Sequence, residues 1–366
     1  MKDGMIDVII PAYKAQGTII KTLSSIAMQT ISDKVDVTIV NDAYGDYSEA
    51  LNMLKNVLRI KELVLPVNSG PGVARQFGIE HTQHEYFTCI DADDTFASAI
   101  SLEIMLTGIK ARPEYKCLSA GFMQLGEDLQ HMIPHNMDMV WMFGKLYDRE
   151  WIEHYHIRFN ETRANEDTGY NTWVKLLADN PKEQIRYIPE IVYFWHNKPD
   201  SITRINDGQY AYDQCLCGWV DNMIYAIQNA KRQRPFSGNV IQQIVTVMIN
   251  LYYYHVETVA RKPVFAPQCW EYVKKFYHAC YKRIEEDITE EAFAEVFSLC
   301  SINKHQSTAF IGIIPYIGVK EFMQKVREEE YNPDDIYKVW AEMPQDLIEN
   351  NIKCGVCPEG YTNKPF

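Results

Sequence analysis

The stretch FTCIDADDTF, residues 87–96, carries three carboxylates in four positions directly after an apolar run. Asp91, Asp93 and Asp94 repel one another, and the repulsion costs free energy unless something positive sits among them. Hard divalent cations take carboxylate oxygens, and Mg²⁺ or Mn²⁺ is often shared with substrate phosphates. Residues i and i+2 of an extended turn can face one ion together, which singles out Asp91 and Asp93. An EF-hand calcium loop does not fit: positions six and twelve from Asp91 are Phe96 and Leu102, where that loop needs Gly and Glu. A helix cap is the other reading, with Asp93 or Asp94 at the start of a helix holding Ile100 to Met105. On these residues alone both stay open.

Carboxylates so placed need strands to aim them. Residues 6–11 (IDVIIP), 35–40 (VDVTIV), 62–67 (ELVLPV) and 86–90 (YFTCI) are short, mostly apolar runs. Between them, residues 18–29, 47–58 and 72–80 have apolar side chains at helical spacing. This alternation predicts a parallel sheet with helices on both faces. Such sheets bind ligands at the carboxyl ends of their strands, and the polar punctuation falls there. Tyr13 follows the first strand, Asn41 and Asp42 the second, Asn68 the third and Asp91 to Asp94 the fourth. Residues 115–150 read as shorter strands and loops. From about residue 209 the chain reads as mostly helical, and a composition shift near Asn206 to Gly208 sets a boundary between domains 1–207 and 208–366.

The whole-chain numbers exclude little. The 366 residues are 46% hydrophobic and 23% charged, ordinary for a globular protein. The net charge of -13 argues against broad nucleic-acid binding, which needs a basic footprint. MKDGMIDVIIPAYK reads as a first strand rather than a leader, and no apolar run is long enough to span a bilayer, so the expected compartment is cytoplasmic. Nine cysteines fit reduced thiols, and the pairs Cys215/Cys217 and Cys354/Cys357 fall short of a zinc site's ligand set. The tyrosine-rich helical stretches beyond residue 209 read as core; exposed instead, they would suit an acceptor, a second subunit or peripheral membrane contact. Lys274, Lys275, Lys282 and Arg283 read as a solvated helix face.

Five ordered segments together resemble the N-terminal half of family 2 glycosyltransferases, which have the GT-A fold. They are IDVIIPAYK, TIVNDAYGD, NSGPGVARQFGIEHTQHEYFTCIDADD, ANEDTGY and VYFWHNKPDSITR. They match that family's PAYN turn, VDDGS strand end, GG…AARN segment with LDSDD, ED segment and YYYR…SIS segment. The resemblance covers roughly residues 5–205. It implies a Rossmann-like α/β domain that binds a nucleotide-sugar, followed by a mostly α-helical domain of open role. Asp91 and Asp93, with Ala92 between them, match the DXD pair that holds Mn²⁺ or Mg²⁺ on the diphosphate. Asp42 matches the residue at the base edge, typically uracil, and Pro11, Ala12 and Tyr13 the wall beside it. Arg75 matches the AARN arginine, placed to offset diphosphate charge; its other reading is a surface salt bridge. Asp167 matches the base that takes a proton from the acceptor hydroxyl, with Glu166 beside it to orient the acceptor or raise its pKa. On spacing alone, the pair is equally a solvated acidic first helical turn. His196 matches a position where an imidazole could complete the metal's coordination, or pack at a strand end. Ser201 and Arg204 match a mobile loop over the diphosphate.

The sequence departs from the family at Lys14, Asn41 and Tyr44, where the pattern has Asn, Asp and Ser. The implied function is inverting, metal-dependent transfer from a UDP-sugar to an acceptor hydroxyl of a bacterial surface glycan or teichoic-acid-type polymer. Alternatives are transfer to a modified base of DNA, or a non-catalytic nucleotide- or glycan-binding module on the same fold. An NAD-binding Rossmann protein is excluded, because GPGVAR follows the third strand and no GxGxxG opens the first helix.

Overall fold

The structure, a computed structural model, describes residues 4–126, 130–136, 138–178, 181–196, 216–234, 238–261, 263–289, 291–296 and 323–328. The first compact unit runs Met1–Gln233 and the second Arg234–Phe366. The first begins β1 (Ile6–Ala12), α1 (Ile19–Ala27), β2 (Val35–Asn41), α2 (Ser48–Leu54), β3 (Arg59–Val64), α3 (Pro71–Glu80), β4 (Tyr86–Cys89). It continues β5 (Thr95–Phe96), α4 (Ser101–Lys110), β6 (Cys117–Leu125), β7 (Met132–His135), β8 (Lys145–Asp148), α5 (Arg149–His154). It closes with α6 (Glu166–Leu177), α7 (Pro181–Gln184), β9 (Ile185–Trp195) and α8 (Cys217–Gln233). The composition shift would assign α8 to the C-terminal domain, but α8 packs on α6 within the first unit. Gly169 and Asn222 meet at that contact, where a Cβ on Gly169 would lie 2.7 Å from Asn222 Cβ.

The strands form one sheet in the order β3-β2-β1-β4-β8-β6-β9-β5, with β7 on β6. The first four pair parallel, as the alternation predicts. Beyond them the sheet is mixed, because β8 runs antiparallel to both β4 and β6. β1 is central and apolar on both sides, with Ile6, Val8, Ile9 and Ile10 fully buried. Asp7 interrupts that run, and Arg149 at the start of α5 pairs with it at 2.9 Å. β3 begins three residues before the apolar run, because its pairing starts at Arg59 opposite Asp36. As the edge strand it leaves Val64 exposed.

The chain moves from β1 through β2 to β3, then returns through α3 to place β4 on the other side of β1. That reversal opens a crevice at the carboxyl ends of β1 and β4. The helix-cap reading of Asp93 and Asp94 fails: β5 intervenes, and α4 starts after Ile100 with no side-chain cap.

The second unit contains α9 (Gly238–Arg261) and α10 (Ala266–Phe276), packed on each other and followed by a π-helical turn, Tyr277–Tyr281. Tyr252, Trp270, Tyr277 and Tyr281 are buried, the core reading of these aromatic stripes. Of the basic residues, Lys275, Lys282 and Arg283 are exposed, and Lys274 pairs with Glu271 at 2.8 Å. No helix among the described residues is long and apolar enough to cross a membrane.

Candidate active site

The residues singled out by type converge at the carboxyl ends of the parallel strands. Pro11 and Ala12 end β1, and Tyr13 follows with 47% of its surface exposed. Asp42 follows β2 and is buried; its backbone N–H donates to Ala12 O at 2.9 Å. Its carboxylate accepts the Ser69 N–H at 2.7 Å and the Gly70 N–H at 2.8 Å. Arg163 grips the same loop through the Asn68 carbonyl at 3.0 Å. Asp42 therefore holds the loop ahead of α3, and both its oxygens already carry a bond.

The charge after β4 is divided among three partners. Arg75, on α3, donates through Nη2 to Asp91 Oδ1 at 2.7 Å and through Nη1 to Glu166 Oε1 at 2.5 Å. Its side chain is only 5% exposed, so the surface-salt-bridge reading is wrong. Burial works against its charge, but Asp91 and Glu166 outweigh that and hold its pKa well above the ordinary value. Gly72, one turn earlier, makes the approach possible: a Cβ there would lie 2.7 Å from Glu166 Cγ. Asp94 turns inward. Its Oδ2 accepts the Tyr193 hydroxyl at 2.6 Å and its Oδ1 the His196 N–H at 2.8 Å. The same Tyr193 hydroxyl accepts the Asp91 N–H at 3.2 Å. Burial, then the neighbouring Asp91 and Asp93, push the Asp94 carboxyl well up. Asp94 thus ties the acidic turn to β9. Ala92 is buried beneath it, and Asp93 is partly exposed.

Glu166 and Asp167 open α6 behind Asn165, which has a left-handed backbone at φ 59°. The solvated-turn reading fails for Glu166, which is buried against Arg75. Asp167 keeps a partly open face and accepts the Thr168 N–H at 2.7 Å. Burial, then the adjacent Glu166, push its pKa up to about 7, against the lowering pull of Arg75. A carboxylate poised there can take a proton near neutral pH.

His196 sits at the end of β9 with both ring nitrogens engaged. Nε2 lies 2.9 Å from Thr95 Oγ1 and Nδ1 3.4 Å from Lys21 Nζ. Burial, then Lys21, hold its pKa below the ordinary value. A metal bond from His196 would displace one of these partners. Among the described residues no three His, Cys, Asp or Glu side chains cluster as a metal site. Two oxygen donors, Asp91 and Asp93, still fit a hard cation whose other positions are filled by phosphate and water. Ser201 and Arg204 lie outside the described residues, as do Cys215, Cys354 and Cys357. Sequence reasoning missed Tyr193, whose role has no local signal, and underused Lys14 and Tyr44, which stood out only as departures.

Known proteins resemble this chain in sequence and in fold. The family described as glycosyl transferase family 2 matches residues 7–160. The uncharacterized glycosyltransferase EpsJ of Bacillus subtilis is 25% identical over 226 residues, 55% of this chain and 63% of EpsJ. The succinoglycan biosynthesis protein ExoO of Rhizobium meliloti is 25% identical over 54% of this chain and 62% of ExoO. The chain thus spans less than two thirds of the curated relatives it matches. S. aureus TarS (residues 1–349), solved with UDP-GlcNAc, superposes with a TM-score of 0.65 at 15% identity, covering 89% of this chain and 93% of TarS. The fold is GT-A.

Proposed function

We propose, for a chain whose residues 7–160 match the family described as glycosyl transferase family 2, that it transfers a sugar from a UDP-sugar to an acceptor hydroxyl with inversion, in bacterial glycan or polysaccharide synthesis. The observation that carries this reading is the buried Asp91–Arg75–Glu166 bridge, which couples the acidic strand end to Asp167. Asp167 is the base: it takes the proton from the acceptor hydroxyl as that oxygen attacks the anomeric carbon. The bond from that carbon to the diphosphate breaks in line, and its electron pair leaves with the diphosphate. No covalent intermediate on the chain is needed. Burial, then Glu166, keep the pKa of Asp167 high enough for this work, and Arg75 holds Glu166 in place beside it.

Asp91 and Asp93 would hold Mn²⁺ or Mg²⁺, with His196 a third ligand if it releases Thr95 or Lys21. When bound, the cation neutralises charge gathering on the departing diphosphate. Pro11, Ala12 and Tyr13 line the base side of the donor. Asp42 shapes the loop beside it. Arg75 acts on the diphosphate through Asp91 rather than by direct contact. Ser201 and Arg204 remain the family-implied closure over the diphosphate. The UDP donor is supported by TarS, solved with UDP and with UDP-GlcNAc. The polysaccharide setting is supported by the name of ExoO. The described cysteines Cys89, Cys117, Cys217, Cys269 and Cys280 are free thiols, which fits the cytoplasm.

Calorimetric titration with UDP, GDP and CDP, each with Mn²⁺ and with EDTA, tests the donor site. Mn²⁺-dependent binding of UDP that disappears in Asp93→Ala is the expected result. No binding of any nucleotide by the folded protein would overturn the reading.

A further inference from the structure

The three departures from the family pattern, Lys14, Asn41 and Tyr44, act as one unit. β1 and β2 pair in register to Ala12 opposite Asn41, so the loops after them leave the same sheet edge. Tyr13 and Tyr44 stand on those loops, 47% and 51% exposed, with ring centroids 5.6 Å apart and planes inclined at 60°. The Lys14 ammonium lies 5.2 Å from one ring centroid and 5.1 Å from the other. Among the described residues it has no carboxylate partner within ion-pair reach.

These exposed rings are held firmly from below. Asn41 Oδ1 accepts the Tyr44 N–H at 3.0 Å, while Asn41 Nδ2 donates to the Gly45 carbonyl at 2.9 Å and to Glu62 at 2.8 Å. An aspartate at 41 could not donate, and would set its charge against both acceptors. The buried Tyr47 hydroxyl joins the two loops: it accepts the Ala15 N–H at 3.2 Å and donates to the Tyr44 carbonyl at 3.3 Å. Lys14 and Ala43 are held at φ 52° and 57°, a region that non-glycine residues rarely occupy. Strain of this kind persists where surroundings over-determine it, commonly at ligand clamps.

Asp42, the residue the family resemblance assigns to the base edge, is 3% exposed with both oxygens bonded. Each of those oxygens keeps a lone pair, but so buried a group offers little surface, and the exposed groups at the same edge offer the rest of the base contact. We propose that Tyr13, Lys14 and Tyr44 form a base clamp for the donor, and that Lys14 selects a base by its ring carbonyl, so that UDP is preferred to CDP. This rests on the nucleotide-sugar reading. Aromatic faces stack on any base, so the rings supply affinity with little choice. An ammonium only donates hydrogen bonds, so it favours the uracil carbonyl over the exocyclic amine that cytosine has in the same place.

The test is calorimetric titration with UDP, CDP and ADP in Mn²⁺, for the wild type, Tyr44→Ala, Tyr44→Phe and Lys14→Met. Tyr44→Ala is expected to weaken UDP binding by about tenfold or more, and Tyr44→Phe, which restores a ring, to recover it. Lys14→Met is expected to bring UDP affinity down to that for CDP. Equal weakening of all three nucleotides by Lys14→Met would put the ammonium on the diphosphate and overturn the selection. Unchanged UDP affinity in Tyr44→Ala would overturn the clamp while leaving the glycosyltransferase reading in place. Failure of the folded wild type to bind any nucleotide would remove both.

Discussion

Arg75→Met should destabilise the first unit far more than a surface ion pair would suggest. Arg75 and Glu166 have side chains 5% and 7% exposed, while Asp91 is 31% exposed. Removing the cation leaves Glu166 buried and unpaired, a loss of about 3–5 kcal/mol. The Asp91 half, open to water, adds about 1 kcal/mol or less. For a unit of this size the total corresponds to a melting point lower by about 6–24 °C. Glu166→Gln keeps a neutral acceptor for Arg75 and should cost about 1–3 kcal/mol. Because the two residues share one bridge, the double variant should be more stable than the summed single losses by at least about 1 kcal/mol. The assay is urea unfolding of the four proteins at pH 8 followed by tryptophan fluorescence. A single-variant loss below about 1 kcal/mol, or strict additivity, would refute the buried bridge.

Asp167 carries a pH-dependent cost. Its pKa is raised from 3.8 to about 7, so the folded state holds a proton that the unfolded state has released between those values. Stability from this group is therefore full below about pH 4 and lost as pH rises through 7. Asp167→Asn should be more stable than the wild type at pH 8, by up to about 4 kcal/mol, with the gap closing towards pH 4; urea midpoints across pH check this. The same variant should retain UDP binding and lose about 10²–10⁴-fold in turnover, whereas wild-type turnover should fall as pH drops below about 7. Gly72→Ala should push α3 from Glu166 and weaken the Arg75 bridge, with a lower melting point and no gain from the helix-favouring alanine.

What the residues encode locally was legible without coordinates. The alternation of apolar runs and helical stripes predicts β1 through β4 in parallel, because side-chain periodicity follows from backbone geometry alone. The spacing of Asp91, Asp93, Glu166 and Asp167 left their roles open, and only the quoted segments, by resemblance, implied a donor site at the strand ends. Boundaries slipped where pairing rather than propensity decides: β3 starts at Arg59 because Asp36 lies opposite it.

Partner choice belonged to the tertiary structure. Arg75 meets Asp91 and Glu166, residues 16 and 91 positions away, and nothing in its own segment distinguishes that bridge from a solvated arginine. Asp94 meets Tyr193 and Asp7 meets Arg149 across similar separations. Each buried charge must find an opposite charge or a hydrogen-bond donor, but which one it finds depends on how the helices dock on the sheet. Docking also decided that Asp42 holds the Ser69–Gly70 loop and that Tyr13 and Tyr44 face solvent. The sequence by itself names the chemistry a residue can perform; only packing settles whether that residue is turned towards a ligand or spent on the fold.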